Sequence, residues 1–483
     1  MTGTTPPRLF ATCAVARITI EFTSPFLVGS GHGDSLTDRV PVSDADGLPV
    51  IPGASLAGVL RSAMRAAGHD TNSLFGHADD AGGASTGSRL WVSWAHVHDA
   101  ADRPTDGVRP DGPADDDVLR NARTLSVRDH VRIGPRGSAA EGGKFDQAVV
   151  PAGHRFTFEI RIEDPCGLDS EDGELASVLD VLRSGHLRIG SGGTRGLGSF
   201  RVIRAAARCF RLSDRKDCDE FLSLPARLDE TASALRTTRA SGGAEDADWT
   251  RIEFDLVPTD WFAVHGAAPW TTPAEGPDAK APDQNPVRET RVVWGDRGGR
   301  VTEPELYIPG TSIKGALAHR VAFHHNRLCC RFADKPSDAA PPVGESSPAV
   351  RELFGAMKGG PGEARRGRVH VDDVVLGPDV PSERLTHVAI DRFTGGALHG
   401  KLYEERVLAA PPRPMRVRVL VRGLGEIPDV GILEALRAAL ADLAEERLAL
   451  GAGASRGHGY FRALDAAAAR RAIDALAVPG GTS

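Results

Sequence analysis

Hydrophobic positions along the chain follow two kinds of spacing, and both recur in the same order. Residues 13–22 carry β-branched side chains in near-alternation, the period of a strand. After a Gly/Asp-rich connection over 25–50, Leu56, Val59, Leu60 and Ala63 form one stripe. That spacing predicts an amphipathic helix over 54–67, N-capped by Gly53 or Ser55. Polar loops are expected over 78–88 and 99–118. Residues 156–162 alternate cleanly as a strand, 174–187 read as helix, and 199–211 return to strand. A mixed connector spans 212–248. The pattern then starts again: strand 251–257, long connection 265–306, helix 312–326, strand 415–423 and helix 431–450.

The recurrence extends to the residues themselves. Ile51-Pro52-Gly53 returns as Ile308-Pro309-Gly310, 257 residues on. Leu74-Phe75-Gly76 returns as Leu353-Phe354-Gly355, and Thr194-Arg195-Gly196-Leu197-Gly198 as Ser455-Arg456-Gly457-His458-Gly459. Between these marks, Arg128-Asp129-His130 is matched to Ile390-Asp391-Arg392, and Lys144-Phe145 to Lys401-Leu402-Tyr403. Ordered matches at similar offsets mean a tandem duplication. The expected units are 13–211 and 250–465, joined by a linker over 212–249. Each reads strand, long loop, helix, insertions, strand, helix, glycine loop, strand. That order predicts an α+β, ferredoxin-like core with large inserted loops.

Length agrees, since 483 residues exceed one ordinary domain. Aromatics are only 5%, so the cores rest on Val, Leu, Ile and Ala. A net charge of −7 excludes a bulk polycation, so any nucleic-acid surface must be local. The stretch 187–211 holds Arg188, Arg195, Arg201, Arg204, Arg208 and Arg211 without an acid in sequence, and predicts a basic track. Six cysteines form no regular framework, so free thiols in a reducing cytosol are expected. The N-terminus lacks a leader pattern, and no apolar run reaches 18 residues, so no membrane span is expected.

Four motifs carry candidate chemistry. The glycine loops 190–198 and 451–459 each hold one arginine, Arg195 or Arg456, among glycines that let backbone N–H groups approach an anion. Such an arginine adds a bidentate phosphate contact; a plain helix-to-strand turn is the alternative. Ser55 and Arg61, and Ser312 and Lys314 with Arg320 further along, lie at or near helix starts, where free N–H groups suit phosphate. Ordinary capping competes with that assignment. Arg128, His130 and Lys144, and Arg392 and Lys401, surround two Gly/Ala-rich hairpins slim enough to insert between stacked bases, or merely solvated at their tips. Asp38 lies beside glycines in a long loop, where a carboxylate can hold a divalent metal or take a proton from a ribose hydroxyl. Most loop aspartates only cap turns. His96 and His98 read as structural. A zinc site at Cys329 and Cys330 with His324 and His325 is strained by its vicinal ligands.

Together, Gly47-Leu48-Pro49-Val50-Ile51-Pro52-Gly53, the Leu-Phe-Gly mark, the hairpins and the Arg-Gly-x-Gly loop resemble the repeat-associated mysterious protein (RAMP) superfamily. Within it they resemble the backbone subunit of type III CRISPR effector complexes. The resemblance implies an RRM-like core that binds CRISPR RNA along its backbone, with thumb hairpins that kink the guide–target duplex. It implies partners as well: target RNA, and other RAMP-type and large subunits of a cytoplasmic antiviral complex. In active members a loop aspartate in an Asp-x-x-Pro context cleaves target RNA with a divalent metal, Mg2+ or Mn2+. The matching residue here is Asp38, in Thr37-Asp38-Arg39-Val40-Pro41. Repeat two is expected to lack it, its matching stretch being Glu289-Thr290-Arg291-Val292-Val293, with Asp283 and Asp296 nearby. A fusion of two such modules resembles type III-D systems. Two alternatives stay open: a non-catalytic scaffold, and a metal-independent CRISPR RNA-processing endoribonuclease using His32 or His458.

Overall fold

The computed structural model describes residues 10–33, 37–78, 85–108, 116–134, 137–165, 173–238, 248–266, 268, 270–271, 280–332, 341–357 and 364–476. Cys166, Arg136 and residues 336–340 of the tract 336–349 lie outside them. Repeat one contains β1 (Thr12–Phe22), α1 (Gly53–Ala66), β2 (Leu90–Val92), β3 (Ala95–Val97), a hairpin of β4 (Ser126–Ile133) and β5 (Ala139–Val149), β6 (Arg155–Glu163), α2 (Glu174–Arg183) and β7 (Phe200–Arg211). Its central sheet runs antiparallel in the order β3–β6–β1–β7, with β2 also on β6. The connector holds α3 (Arg215–Leu222). Repeat two contains β8 (Trp249–Pro258), a small hairpin of β9 (Val292–Gly295) and β10 (Gly298–Val301), α4 (Gly310–Leu328), β11 (Val369–Val371), a long hairpin of β12 (Ser382–Ile390) and β13 (Ala397–Leu408), β14 (Met415–Arg422), α5 (Val430–Ala444) and β15 (Phe461–Ala463). Its sheet order, β11–β14–β8–β15, is the same order again.

Alternation explains how each sheet buries one face. Ala14, Ala16, Ile18, Ile20 and Phe22 of β1 point into one core with Phe156, Phe158, Ile160 and Ile162 of β6. Leu56, Leu60 and Met64 of α1 and Val178, Leu179 and Leu182 of α2 close that core. Each such side chain contributes about 1.5–3 kcal/mol of burial. A separate core in repeat two runs from Ile252 to Leu476, past the boundary expected at 465. No helix among the described residues is long and apolar enough to cross a membrane.

The other face of the first sheet is polar, and it is paired. Arg17 meets Glu159 at 2.8 Å, and Arg155 and Arg201 meet Glu21 at 2.9 and 2.6 Å. Chain from the connector covers this face, and the Arg17 guanidinium donates to the carbonyls of Pro225, Arg227 and Glu230. The basic track expected over 187–211 is therefore largely absent. Arg188 binds Asp372, Arg204 binds Asp102 and Arg208 binds Asp217. Arg195 alone of the stretch's first five arginines makes no ion pair among the described residues.

The two repeats meet head to tail. Arg128 of β4 sits 2.7 Å from both Glu289 and Asp373, with side-chain exposures of 6%, 9% and 7%. Burial alone would depress its guanidinium, but Asp373 and Glu289 outweigh that and keep it charged. The Asp373 carboxylate also accepts the Gly310 N–H that opens α4. Lys314, one turn into α4, donates to the carbonyls of Thr194 in repeat one and Val369 in repeat two. The β9–β10 hairpin docks on repeat one, where Val292 N–H donates to Ala152, Gly299 N–H to Ala100 and the Trp294 indole to Gly153.

Two predictions follow from this joint. Arg128→Ala should lower the unfolding free energy by about 3–5 kcal/mol, the cost of uncompensated buried carboxylates. Urea denaturation checks it, and a loss below about 1 kcal/mol would match only an exposed pair. Burial, then Arg195 and Arg366, push the Lys314 ammonium down to about 7. An unfolded lysine keeps its proton to roughly pH 10.4, so between those values the unfolded chain binds more protons and stability rises with pH. Lys314→Met should flatten that rise between pH 7.5 and 9.5 in the same assay; an unchanged slope would contradict the burial.

Candidate nucleic-acid interface

The hairpins settle their own register. In the first, His130 pairs with Phe145 and the rings stack at 4.8 Å; in the second, His387 pairs with Tyr403 and the rings stack at 4.9 Å. Near the tips, Ile133 pairs with Ala139 and Ile390 with Ala397. His387 is thus the counterpart of His130, and Ile390 that of Ile133. The expected match of Arg128-Asp129-His130 to Ile390-Asp391-Arg392 is out of register. Asp391 instead holds the tip turn, accepting the N–H groups of Phe393 and Thr394 at 3.0 and 2.7 Å. Arg392 lies over the Phe393 ring at that exposed tip. Lys144 faces Val131, the position Leu402 takes against Val388, so exposed Lys401 aligns with Gly143 rather than with Lys144. Lys144 is 72% exposed and 3.9 Å from Asp129.

The long loops match as closely. Asp38 lies at the base of the first hairpin. Its N–H donates to an Asp146 carboxylate oxygen at 2.8 Å, and its own carboxylate accepts the Asp146 N–H at 3.1 Å. The next carbonyl, of Arg39, accepts the Ala148 N–H at 2.9 Å. At the second hairpin, Asp283 accepts the Glu404 N–H at 2.9 Å, and the next carbonyl, of Gln284, accepts the Arg406 N–H at 2.9 Å. Pro41 bridges Gly29, and Pro286 pairs with His265. Asp283 therefore stands where Asp38 stands, in Asp283-Gln284-Asn285-Pro286, and both are exposed. Glu289–Val293 is not the matching stretch: Glu289 pairs with Glu305 and binds Arg128. Asp296 lies on the turn between β9 and β10.

The glycine loops also share one backbone. Each ends a 3-10 turn, Gly193–Arg195 or Ala454–Arg456, between left-handed glycines: Gly192 and Gly196, Gly453 and Gly457. A Cβ at Gly190 would lie 2.3 Å from the Leu27 carbonyl oxygen, and one at Gly451 2.1 Å from that of Ala263, so only glycine permits this approach. Their arginines differ. Arg456 donates to the Tyr403 hydroxyl and to Glu405. Arg195 lies over the Phe145 ring at 5.6 Å, its charge disfavoured by burial and then by Arg39. Burial, with Arg195 and Arg128, pulls His130 down to about 4, so its ring is neutral at neutral pH and offers a stacking face.

The remaining predicted residues are committed elsewhere. Both Ile-Pro-Gly helices are N-capped by proline, Pro52 and Pro309, rather than by Gly53 or Ser55. The half-buried Ser55 and Ser312 donate their N–H groups to those proline carbonyls. Cβ atoms at Gly53 and Gly310 would lie 2.1 and 2.5 Å from the carbonyl oxygens of Val92 and Val371, so the repeated glycine lets helix and strand touch. Arg61 donates to Asn72 and the Gly76 carbonyl, and Arg320 binds Asp442. Arg128 and Lys314 are closed into the joint. His324 bonds Asp442 at 2.7 Å, and Cys329 and Cys330 are exposed free thiols. Among the described residues no group of three or more His, Cys, Asp or Glu is arranged to hold a metal. Sequence reasoning passed over Gln147 and Glu405 and named Asp283 only as a neighbour of the wrong stretch; its Asp-x-x-Pro context was the signal that could have placed it.

Comparison with known proteins bears on this arrangement. No curated protein matches the chain. The family model of the RAMP superfamily matches residues 19–201 and 297–462, which include both hairpins and both glycine loops. Since that match spans more than half of the sequence and falls in both repeats, the chain belongs to the RAMP superfamily.

Proposed function

We propose that the protein is a CRISPR RNA-binding backbone subunit of a type III effector complex, and that it cleaves guide-paired target RNA. The observation that carries this reading is the twofold occurrence of one constellation: loop aspartate, hairpin base with stacked rings, and left-handed glycine loop. The order of strands in each sheet supports a ferredoxin-like core, and the hairpins, with exposed Phe393 at one tip, supply thumbs for parting stacked bases. Membership of the RAMP superfamily supports other RAMP-type subunits as partners.

Cleavage is assigned to Asp38, and Asp283 adds a second site by its equivalent place. One oxygen of each carboxylate accepts a backbone N–H, which fixes its direction and leaves the other oxygen for RNA. Asp38 and Asp146 supply hard oxygen donors without a third side-chain ligand. That set fits Mg2+ or Mn2+, which takes one or two protein carboxylates and fills its shell with water and phosphate. A bound ion would supply Lewis-acid polarisation of the scissile phosphate. Asp38 would hold that ion or orient the neighbouring ribose hydroxyl.

The assembled complex with guide, target RNA and Mg2+ provides the test. Asp38→Ala should slow one of two cuts by about 10²–10⁴, and Asp283→Ala the other, while guide and target binding persist. Asp296→Ala should cut like the unmodified protein, and EDTA should stop both cuts. Cleavage by the Asp38→Ala/Asp283→Ala double variant at unchanged positions would refute the carboxylate assignment. An unmodified complex that cuts nothing would establish the scaffold alternative.

A further inference from the structure

The two hairpins differ at one buried position, and the difference is a charge. Gln147 and Glu405 hold the same register, two residues beyond Phe145 and Tyr403, and both are 0% exposed. Glu405 is fully engaged: it accepts from Arg456 at 2.9 Å and from the His387 ring at 2.6 Å. Gln147 is not engaged, since neither its amide oxygen nor its amide nitrogen has a hydrogen-bond partner. An orphaned buried amide costs about 1–3 kcal/mol, so its place in a finished core calls for an explanation. Residues two apart on a strand share a face, so Gln147 lies on the face of Phe145, over which Arg195 is stacked. Arg195 meets no carboxylate among the described residues, and Arg39 adds like charge nearby. Repeat one thus has the guanidinium and an unused amide donor, but no anion. Repeat two has the guanidinium and a built-in anion.

We propose that Arg195 and Gln147 bind one phosphodiester of an RNA strand, and that Glu405 occupies the equivalent place in repeat two and keeps Arg456 from phosphate. This rests on the RNA-binding function proposed above. A phosphate only accepts hydrogen bonds, so an amide N–H beside an arginine fork suits it. A buried carboxylate at the same place repels it. The duplicated loops would then engage RNA in alternation rather than twice.

The test uses the full chain and a labelled single-stranded oligouridylate of ~12 nucleotides, with affinity measured by anisotropy over a range of KCl. Each phosphate contact contributes about 0.7 to the slope of log K against log salt. Arg195→Ala and Gln147→Glu should each lower the slope by about that amount, Arg456→Ala should leave it unchanged, and Glu405→Gln should raise it by about as much. The exchange Gln147→Glu/Glu405→Gln should restore the original slope and make it depend on Arg456. Should Gln147→Glu fail to fold, Gln147→Leu serves: it should raise the urea midpoint and weaken RNA binding, and unchanged binding would overturn the proposal. Arg195→Ala lowering the slope while Gln147→Glu and Glu405→Gln leave it unchanged would overturn the roles given to Gln147 and Glu405. An unmodified chain that does not bind this RNA would sink the RNA-binding function itself.

Discussion

The contact between the first hairpin, the first glycine loop and the start of α4 depends on the Asp373 carboxylate. It receives the Arg128 guanidinium from the first hairpin and the Gly310 N–H from the start of α4. A Cβ at Gly196 would come within 2.6 Å of it, so the first glycine loop also packs directly on that group. One side chain thereby sets the hairpin base, the glycine loop and the second repeat's helix against each other. Leu385 stands where repeat two would need its own Arg128, so that hairpin has no matching charge for such a joint.

The duplication kept backbones and released side chains. Left-handed glycines, proline-capped helices and loop aspartates recur because each answers a steric or hydrogen-bonding demand of the main chain. Charges beside them have diverged. Gln147 against Glu405, Arg128 against Leu385 and Asp146 against Glu404 change what each constellation can hold without changing its shape.

Much of this was legible in the chain. Strand alternation and helix stripes located β1, β6, β7, β8 and β14 and the covering helices, because local periodicity reports the buried face directly, whereas the three-residue strands β2, β3 and β11 are too short to show a period. Hairpin register was not legible. Short matching strings near Asp129 and Asp391 pointed the wrong way, whereas ring pairing of His130 with Phe145 and His387 with Tyr403 depends on the count of residues around each turn. Basic residues misled for a related reason. Arg188 finds Asp372 across 184 positions, and Arg128 finds Asp373 across 245, so their neutralising partners cannot be seen along the sequence. Asp38 was visible because its glycines and proline are local. Asp283 shares the proline but not the glycines.

The joint between repeats also has a thermodynamic peculiarity. Its centre is ionic, and desolvating charges yields little net affinity even when every partner is satisfied. Two separate chains would have to offset the loss of translational and rotational freedom with that poor return. Here the connector after β7 makes the encounter intramolecular, at an effective concentration that for short flexible tethers reaches the millimolar range. A contact too weak to recruit a partner from solution is then strong enough to stay closed. Its ion pairs are left to do what they do well, which is to reject every register but one.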